Sequence, residues 1–364
     1  MKIAFDAKRF FHNSSGLGNY SRDFVRILAH YYPENHYLLL AKRQSQRGRD
    51  ILSHPSVEFL PLSGGLFPRQ LKMGTDAQRA GADLFHGLSG ELPLRWGSPK
   101  IKKIVTIHDL IFERFPEFYS AFDRKMHFWK FKKATQVADK IIAISEQTKR
   151  DVMEFLQVPE EKISVVYQGC HPSFKQKPTD DFLNSLRKKY QLPQRFLLNV
   201  GTIEERKNLL SVVRALSGTK IPLVAVGRKT AYFEKIQAEI RKNSVEVLFL
   251  EGLTMEELSG LYRLADVFIY PSLFEGFGIP IIESLFSECV VITSDTSCLP
   301  EAGGENSVYV SPFSVEDMRE KIISLWENPE ERRSRAEKGR LFVEQFTDEK
   351  IAQNLMKVYQ EVLS

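Results

Sequence analysis

Short apolar runs rich in β-branched and aromatic residues recur along the chain, with stretches of helical spacing between them. In the first half the runs are Ile3–Asp6, Tyr37–Ala41, Val57–Leu60, Asp83–Phe85, Ile104–Ile107, Ile141–Ile144 and Ile163–Val166. In the second half they are Phe196–Val200, Leu223–Val226, Val245–Leu250, Val267–Tyr270, Val290–Thr293 and Val308–Val310. Most are apolar throughout rather than alternating, as expected of parallel strands covered on both faces. Tyr20–Ala29, Leu209–Leu216 and Glu256–Ala265 read as helices between them, and Thr254 with Glu257 has the spacing of a capping box. This alternation predicts an α/β chain of two doubly wound, Rossmann-like domains. It breaks at His171–Pro178, a polar stretch with two prolines, which we read as the linker. The expected domains are therefore residues 1–172 and 173–347. A final helix over about Asp348–Leu363 has no strand to pair with, so residues 348–364 are expected to cross back onto the first domain. In open α/β sheets ligands sit beyond the carboxyl ends of strands, which directs attention to the loops that follow them.

The length of 364 residues suits two domains, and 26 Phe, 12 Tyr and 3 Trp supply material for their cores. Cys170, Cys289 and Cys298 are too few and too scattered for a disulfide framework or a cysteine zinc site, and suit a reducing compartment. The N-terminus reaches Asp6 too soon for a signal-peptide core, and no apolar run approaches the ~20 residues of a membrane helix. The expected location is cytoplasmic, with a peripheral site at the inner face of the membrane as an extension. The net charge of +5 is uneven: residues 1–178 carry 28 Lys+Arg against 18 Asp+Glu, or +10, and residues 179–364 carry 23 against 28, or −5. A basic half first suggests nucleic acid, and the motifs below redirect that reading.

The strongest motif is Pro271-Ser-Leu-Phe-Glu275-Gly-Phe-Gly-Ile-Pro-Ile-Ile-Glu283, a strand followed by a glycine-bearing loop and a helix from near Gly278. Backbone N–H groups at such a helix start bind anions, and glycines let a phosphate come close. Glu275 and Glu283 can each accept hydrogen bonds from neighbouring hydroxyls, which suits a sugar and a ribose. The second motif, Asn199-Val-Gly-Thr-Ile-Glu-Glu-Arg206-Lys207-Asn208, places two cations after a strand end. Fixed cations there stabilise the charge of a departing diphosphate, Arg by forking onto two oxygens and Lys as a point charge. The bland alternative, two solvent-facing cations at a helix start, opposes the helix dipole. Thr106-Ile-His108-Asp109 ends a strand where a His can meet a sugar hydroxyl, and His86 ends another where it can serve an acceptor; each has a structural alternative. Ser14-Ser-Gly16-Leu-Gly18 superficially suggests a dinucleotide fingerprint, but it lies too far beyond its strand and lacks the third glycine, so a nicotinamide cofactor is rejected. Asp123–Lys133 mixes cations with aromatics, either a membrane-facing helix or a packed aromatic face with solvated lysines.

The Glu275–Glu283 string resembles the signature of glycosyltransferase family 4, whose members have the GT-B fold. Resemblance covers nearly the whole chain, through Val137–Ser145, Ile163–Gly169, Leu250–Gly252 with Glu257, and Pro300–Gly304. It implies an N-terminal acceptor domain and a C-terminal domain for a nucleotide-sugar donor. It implies that Glu283 binds the ribose, Glu275 touches the donor hexose, and Gly276, Phe277, Gly278 and Ile279 lie along sugar and diphosphate. Thr202, Leu253, Gly16 and Gly18 are further donor contacts by the same resemblance. Arg206, Lys207, Glu275 and His108 are assigned to catalysis, and His86 and Asp109 to the acceptor. Here Arg206 adjoins Lys207, whereas in many members the Arg lies several positions earlier.

The expected reaction is retaining, metal-independent transfer of a hexose, with no cofactor and no metal ligands. GDP-mannose is placed ahead of a UDP-sugar as donor. The acceptor is a sugar or lipid-linked glycan, in glycan or surface-polysaccharide synthesis, and the basic half faces it or a membrane rather than nucleic acid. Three rivals are a glycoside hydrolase, a GT-B nucleotide-sugar epimerase and a non-catalytic sugar-nucleotide sensor. The hydrolase would use Glu275 and Glu283 as its carboxyl pair, but it leaves the cation site without a purpose.

Overall fold

A computed structural model of the chain describes residues 1–13, 16–97 and 100–364. It separates into two units, Met1–Gly169 with Thr347–Ser364, and Cys170–Phe346. Every apolar run of the sequence forms a strand. In the first unit these are β1 (Lys2–Asp6), β2 (His36–Ala41), β3 (Val57–Pro61), β4 (Leu84–Gly87), β5 (Lys102–Ile107), β6 (Lys140–Ala143) and β7 (Ile163–Val165). In the second they are β8 (Leu197–Val200), β9 (Leu223–Val226), β10 (Val247–Leu250), β11 (Val267–Tyr270), β12 (Val291–Ser294) and β13 (Val308–Val310). All pairings are parallel. The sheet orders are β3-β2-β1-β4-β5-β6-β7 and β10-β9-β8-β11-β12-β13. Each is a doubly wound α/β sheet, as the hydrophobic pattern predicts.

These orders fix where ligands can bind. Winding reverses between β1 and β4 in one unit and between β8 and β11 in the other. At such a switch point adjacent loops leave in opposite directions and open a crevice. Asn199 bridges the second switch point, its side-chain amide donating to the Ile269 carbonyl at 2.8 Å. Gly227, after β9, supports the same edge: a Cβ there would lie 1.8 Å from the Gly201 carbonyl oxygen, so only glycine lets the two loops close up.

The C-terminal helix Asp348–Leu363 belongs to the first unit, where Ile351, Leu355 and Tyr359 join the core around Phe24 and Leu28 of the helix Gly16–Tyr31. Asp348 also accepts from Arg26 at 2.7 Å. The capping box at Thr254 and Glu257 is present in both directions. Both boundaries of the second unit shift by a few residues at most. The expected linker His171–Pro178 is not a free tether, because Phe174 is fully buried with its ring 5.8 Å from Tyr262, and Ser259 donates to the Ser173 carbonyl. The division therefore falls after Gly169 rather than after residue 172, and after Phe346 rather than residue 347.

Candidate functional site

In the second unit the two loops at the switch point are tied together. Arg206 and Lys207 lie in a single 3-10 turn, Glu205–Lys207, before Asn208, which takes a left-handed conformation (φ 58°) and starts the helix Leu209–Ala215. Asn208 holds this unusual backbone by donating to the Pro312 carbonyl at 2.8 Å. The Arg206 carbonyl accepts from the Leu273 amide at 2.9 Å, and its guanidinium donates to the Phe274 carbonyl at 2.7 Å. The cations thus do not face solvent at a helix start. They are built into the loop after β11.

Their common partner is one oxygen of Glu275. Lys207 Nζ lies 2.6 Å from Oε1, Arg206 Nη1 2.8 Å, the Ser272 hydroxyl 2.5 Å and the Tyr270 hydroxyl 2.9 Å. Lys207 also donates to the Tyr270 hydroxyl at 2.6 Å. Burial pushes the Glu275 carboxyl up, but Lys207 and Arg206 outweigh it and hold the group at about 2. Burial also pulls the Lys207 ammonium down, against the attraction of Glu275, and Arg206 adds to the lowering. The result is a fixed constellation in which two cations share the Glu275 carboxylate, with Glu204 also on Arg206 at 2.7 Å.

Glu283 sits in the helix Ile279–Phe286, whose N-terminus at Gly278 has no side-chain cap. Gly278 has φ 116°, a conformation L side chains rarely adopt, and so the glycine is required there. Burial raises the Glu283 carboxyl to about 7, and the Tyr262 hydroxyl, 3.2 Å away, donates to it and partly offsets the rise. Glu275 and Glu283 thus have opposite environments on one loop-helix segment. Gly276 precedes Gly278 in the loop, with Ile279 at the first helical position. Thr202 follows β8, and Leu253 follows β10 just ahead of the capping box. Phe277 differs from expectation. Its side chain is 2% exposed and packs on Phe346 with ring centres 5.4 Å apart, so it presents no side chain to a donor.

In the first unit His108 follows β5. Its Nε2 faces the Leu88 carbonyl at 2.8 Å and therefore carries the proton, and Tyr20 meets the ring edge-on at 4.5 Å. Burial lowers it to about 4, so it is neutral near pH 7. Asp109 Oδ1 accepts from the Ile111 amide at 3.2 Å, just ahead of the short helix Ile111–Arg114. A Cβ on Gly18 would lie 2.0 Å from the Asn13 carbonyl oxygen, while around Gly16 the space is open. Both glycines lie in the first turn of a helix, and Ser14 and Ser15 fall outside the described residues.

His86 is corrected from acceptor contact to core. It is fully buried, Nδ1 is 2.6 Å from the Tyr359 hydroxyl, and Nε2 is 2.8 Å from the Thr106 hydroxyl. Neither nitrogen is left for a ligand. Burial lowers it to about 3 from an ordinary 6.5. In that window the unfolded chain binds the proton and the native state does not, so stability falls as pH drops below about 6.5. Tyr359→Phe, which strands Nδ1, should cost about 1–3 kcal/mol in urea unfolding and leave nucleotide affinity unchanged. An unchanged midpoint would show that the hydrogen bond is not holding the helix.

Two family models match the chain: Glycosyltransferase Family 4 over residues 16–174, and Glycosyl transferases group 1 over residues 184–360. Together they span nearly all of it. The chain belongs to glycosyltransferase family 4. The family 4 chain is 28% identical over 232 residues to the serotype-specific mannosyltransferase WbdA of Escherichia coli, a match covering 60% of the chain and 28% of that relative. It is 24% identical over 286 residues to the O-antigen chain mannosyltransferase B of Escherichia coli, covering 76% of the chain and 74% of the relative. It thus spans less than a third of the first relative and about three quarters of the second. Among solved structures, Anabaena HepE in complex with UDP-glucose aligns with TM-score 0.75 at 17% identity, over 99% of this chain and all of that one. That likeness establishes the shared fold.

The candidate site contains partners that local reading missed. Tyr270 and Ser272 complete the Glu275 cluster, and Tyr262 meets Glu283 from another helix. Tyr270 ends an apolar strand and Tyr262 lies on a packed helix, so both look like core in the sequence. The Ser at 272, three residues before Glu275 in the same loop, is the one available signal.

Proposed function

We propose that the chain is a retaining, metal-independent hexosyltransferase that moves mannose from a nucleoside-diphosphate sugar to a glycan acceptor in surface-polysaccharide synthesis. The observation that carries this is the pair Arg206 and Lys207, fixed at the switch point by Glu275. In transfer the bond from the sugar C1 to the diphosphate oxygen breaks as the acceptor oxygen bonds to C1 on the same face. The acceptor proton passes to the departing phosphate. Arg206, Lys207 and the uncapped helix start at Gly278 meet the charge that develops on that phosphate. Held in place beforehand, the two cations need no metal to do so. Glu283 accepts the ribose hydroxyls, and a hexose hydroxyl takes its place among the ligands of Glu275. His108, neutral and with Nε2 committed, offers Nδ1 to a sugar hydroxyl.

Mannose is favoured by the relatives named above, both mannosyltransferases, and GDP-mannose is the corresponding donor. The structural likeness to HepE, solved with UDP-glucose, makes a UDP-sugar the second choice. The acceptor is assigned to a lipid-linked glycan because the first half is basic, and the protein to the cytoplasmic face of a membrane. A thermal-shift panel of nucleotide sugars tests the reading. The correct donor at a hundred times its dissociation constant adds about 2.7 kcal/mol of stability, a shift of a few degrees. GDP-mannose should stand out; a flat panel would sink the assignment, and selective UDP-sugar stabilisation would change the donor. Sugar conversion without acceptor would reveal an epimerase.

A further inference from the structure

The helix Ala121–Val137 is apolar on two sides, which a helix at the edge of a water-soluble unit does not need. Its inner side is accounted for: Phe128, Phe131 and Ala134 pack with Ile107, Phe112 and Ile141. On the outer side Phe122, Met126 and Trp129 follow at helical spacing and are 72%, 38% and 52% exposed. Lys133 continues that row, and Lys125 lies beside it. Both lysines are exposed, and neither has an ion-pair partner among the described residues, unlike Lys130, which meets Glu91 at 3.4 Å. A small open groove lies along the helix, with Trp129, Lys130 and Lys133 on one side and Gln70, Pro93 and Leu94 on the other. Leu66 and Phe67, 81% and 70% exposed, lie in the loop that leads to Gln70.

We propose that this face docks on an anionic lipid surface, with Phe122, Met126 and Trp129 entering the headgroup boundary and Lys125 and Lys133 meeting lipid phosphates. An aromatic row flanked by unpaired lysines matches both parts of such an interface. The sign of the charge selects the occupant, since the half of the chain that carries the row has a charge of +10. A second copy would bring the same cations against one another. No helix of the described residues is long and apolar enough to cross a membrane, so the contact is one of lying on the surface. The inference deepens the reading of a lipid-linked acceptor and rests on it for its purpose, but its test does not pass through transfer.

The full chain is centrifuged with vesicles of phosphatidylcholine, with and without phosphatidylglycerol. It should pellet with the anionic vesicles and do so less at high salt. Lys125→Ala with Lys133→Ala should weaken the association about twenty-fivefold, at roughly fivefold per lysine. Phe122→Ser with Trp129→Ser should weaken it by about tenfold or more. The nucleotide-sugar thermal shift of both double variants should equal that of the parent chain. A parent chain that stays in the supernatant, or variants that bind as well as it does, would overturn the docking surface. So would a concentration-dependent dimer that Phe122→Ser with Trp129→Ser dissolves, which would make a second copy the occupant. Vesicle binding without any nucleotide response would instead overturn the transferase reading and leave the docking surface standing.

Discussion

Glu275→Ala should lower the transfer rate about 10²–10³-fold and reduce stability by about 3 kcal/mol, whereas Lys207→Ala should lower the rate as much with a smaller loss of stability. The asymmetry follows from who is left behind. With Glu275 gone, Arg206 keeps Glu204 at 2.7 Å, but Lys207 stays in a largely covered loop without its carboxylate and beside the like charge of Arg206. With Lys207 gone, Glu275 keeps Arg206 at 2.8 Å, Ser272 at 2.5 Å and Tyr270 at 2.9 Å. Urea unfolding of the free proteins and single-turnover transfer measure the two effects separately. A nucleoside diphosphate should return more stability to Glu275→Ala than it adds to the parent chain, because its phosphates supply the missing negative charge. Glu275→Ala as stable as the parent, or Lys207→Ala at the parent rate, would mean that the cluster is a surface ion pair and not the leaving-group site.

The architecture was legible because its strands are buried on both faces. Such strands appear as unbroken apolar runs, and each run from Ile3–Asp6 to Val308–Val310 became one. The last helix was legible for a different reason, as a helical stretch with no strand to serve. The two glutamates and the two cations stood out as candidates in loops after strands, but their pairing through Glu275 did not. What local sequence cannot carry is contact between distant segments. His86 and His108 both end strands, and nothing nearby tells them apart. The difference is Tyr359, which reaches His86 from the far end of the chain and closes the ring off. Likewise Phe277 looks like part of a ligand loop until Phe346 covers it, and His171–Pro178 looks like a tether until Tyr262 receives Phe174. In each case an aromatic side chain from a separate element decides between function and packing.

Donor affinity should weaken as the pH falls below about 7, approaching tenfold per pH unit, and should be level above it. The cause is Glu283, whose carboxyl burial raises to about 7 from an ordinary 4.5. In the free protein below that pH the group holds a proton. The protonated form offers one hydroxyl donor and one good acceptor, while two neighbouring ribose hydroxyls call for the acceptor-only carboxylate. Binding the ribose must then expel the proton, and each unit of pH below the carboxyl's own value costs about 1.4 kcal/mol of affinity. The same shift acts with the opposite sign to that of His86 on the free protein. Between 4.5 and about 7 the native state holds a proton that the unfolded chain releases, so Glu283 costs stability as the pH rises through that window. The donor's ribose hydroxyls compensate that cost when they arrive, which is why a strained carboxyl suits this position. Glu275 does not take part, because Lys207 and Arg206 keep it ionised down to about 2. Calorimetric titration with an intact nucleotide sugar is the measurement of choice, since its diphosphate, substituted at both ends, does not titrate in this range as a free terminal phosphate does. Glu283→Gln should bind more weakly at high pH and show no pH dependence. A pH-independent dissociation constant in the parent chain would place the ribose elsewhere, and a dependence that survives Glu283→Gln would assign the titration to another group.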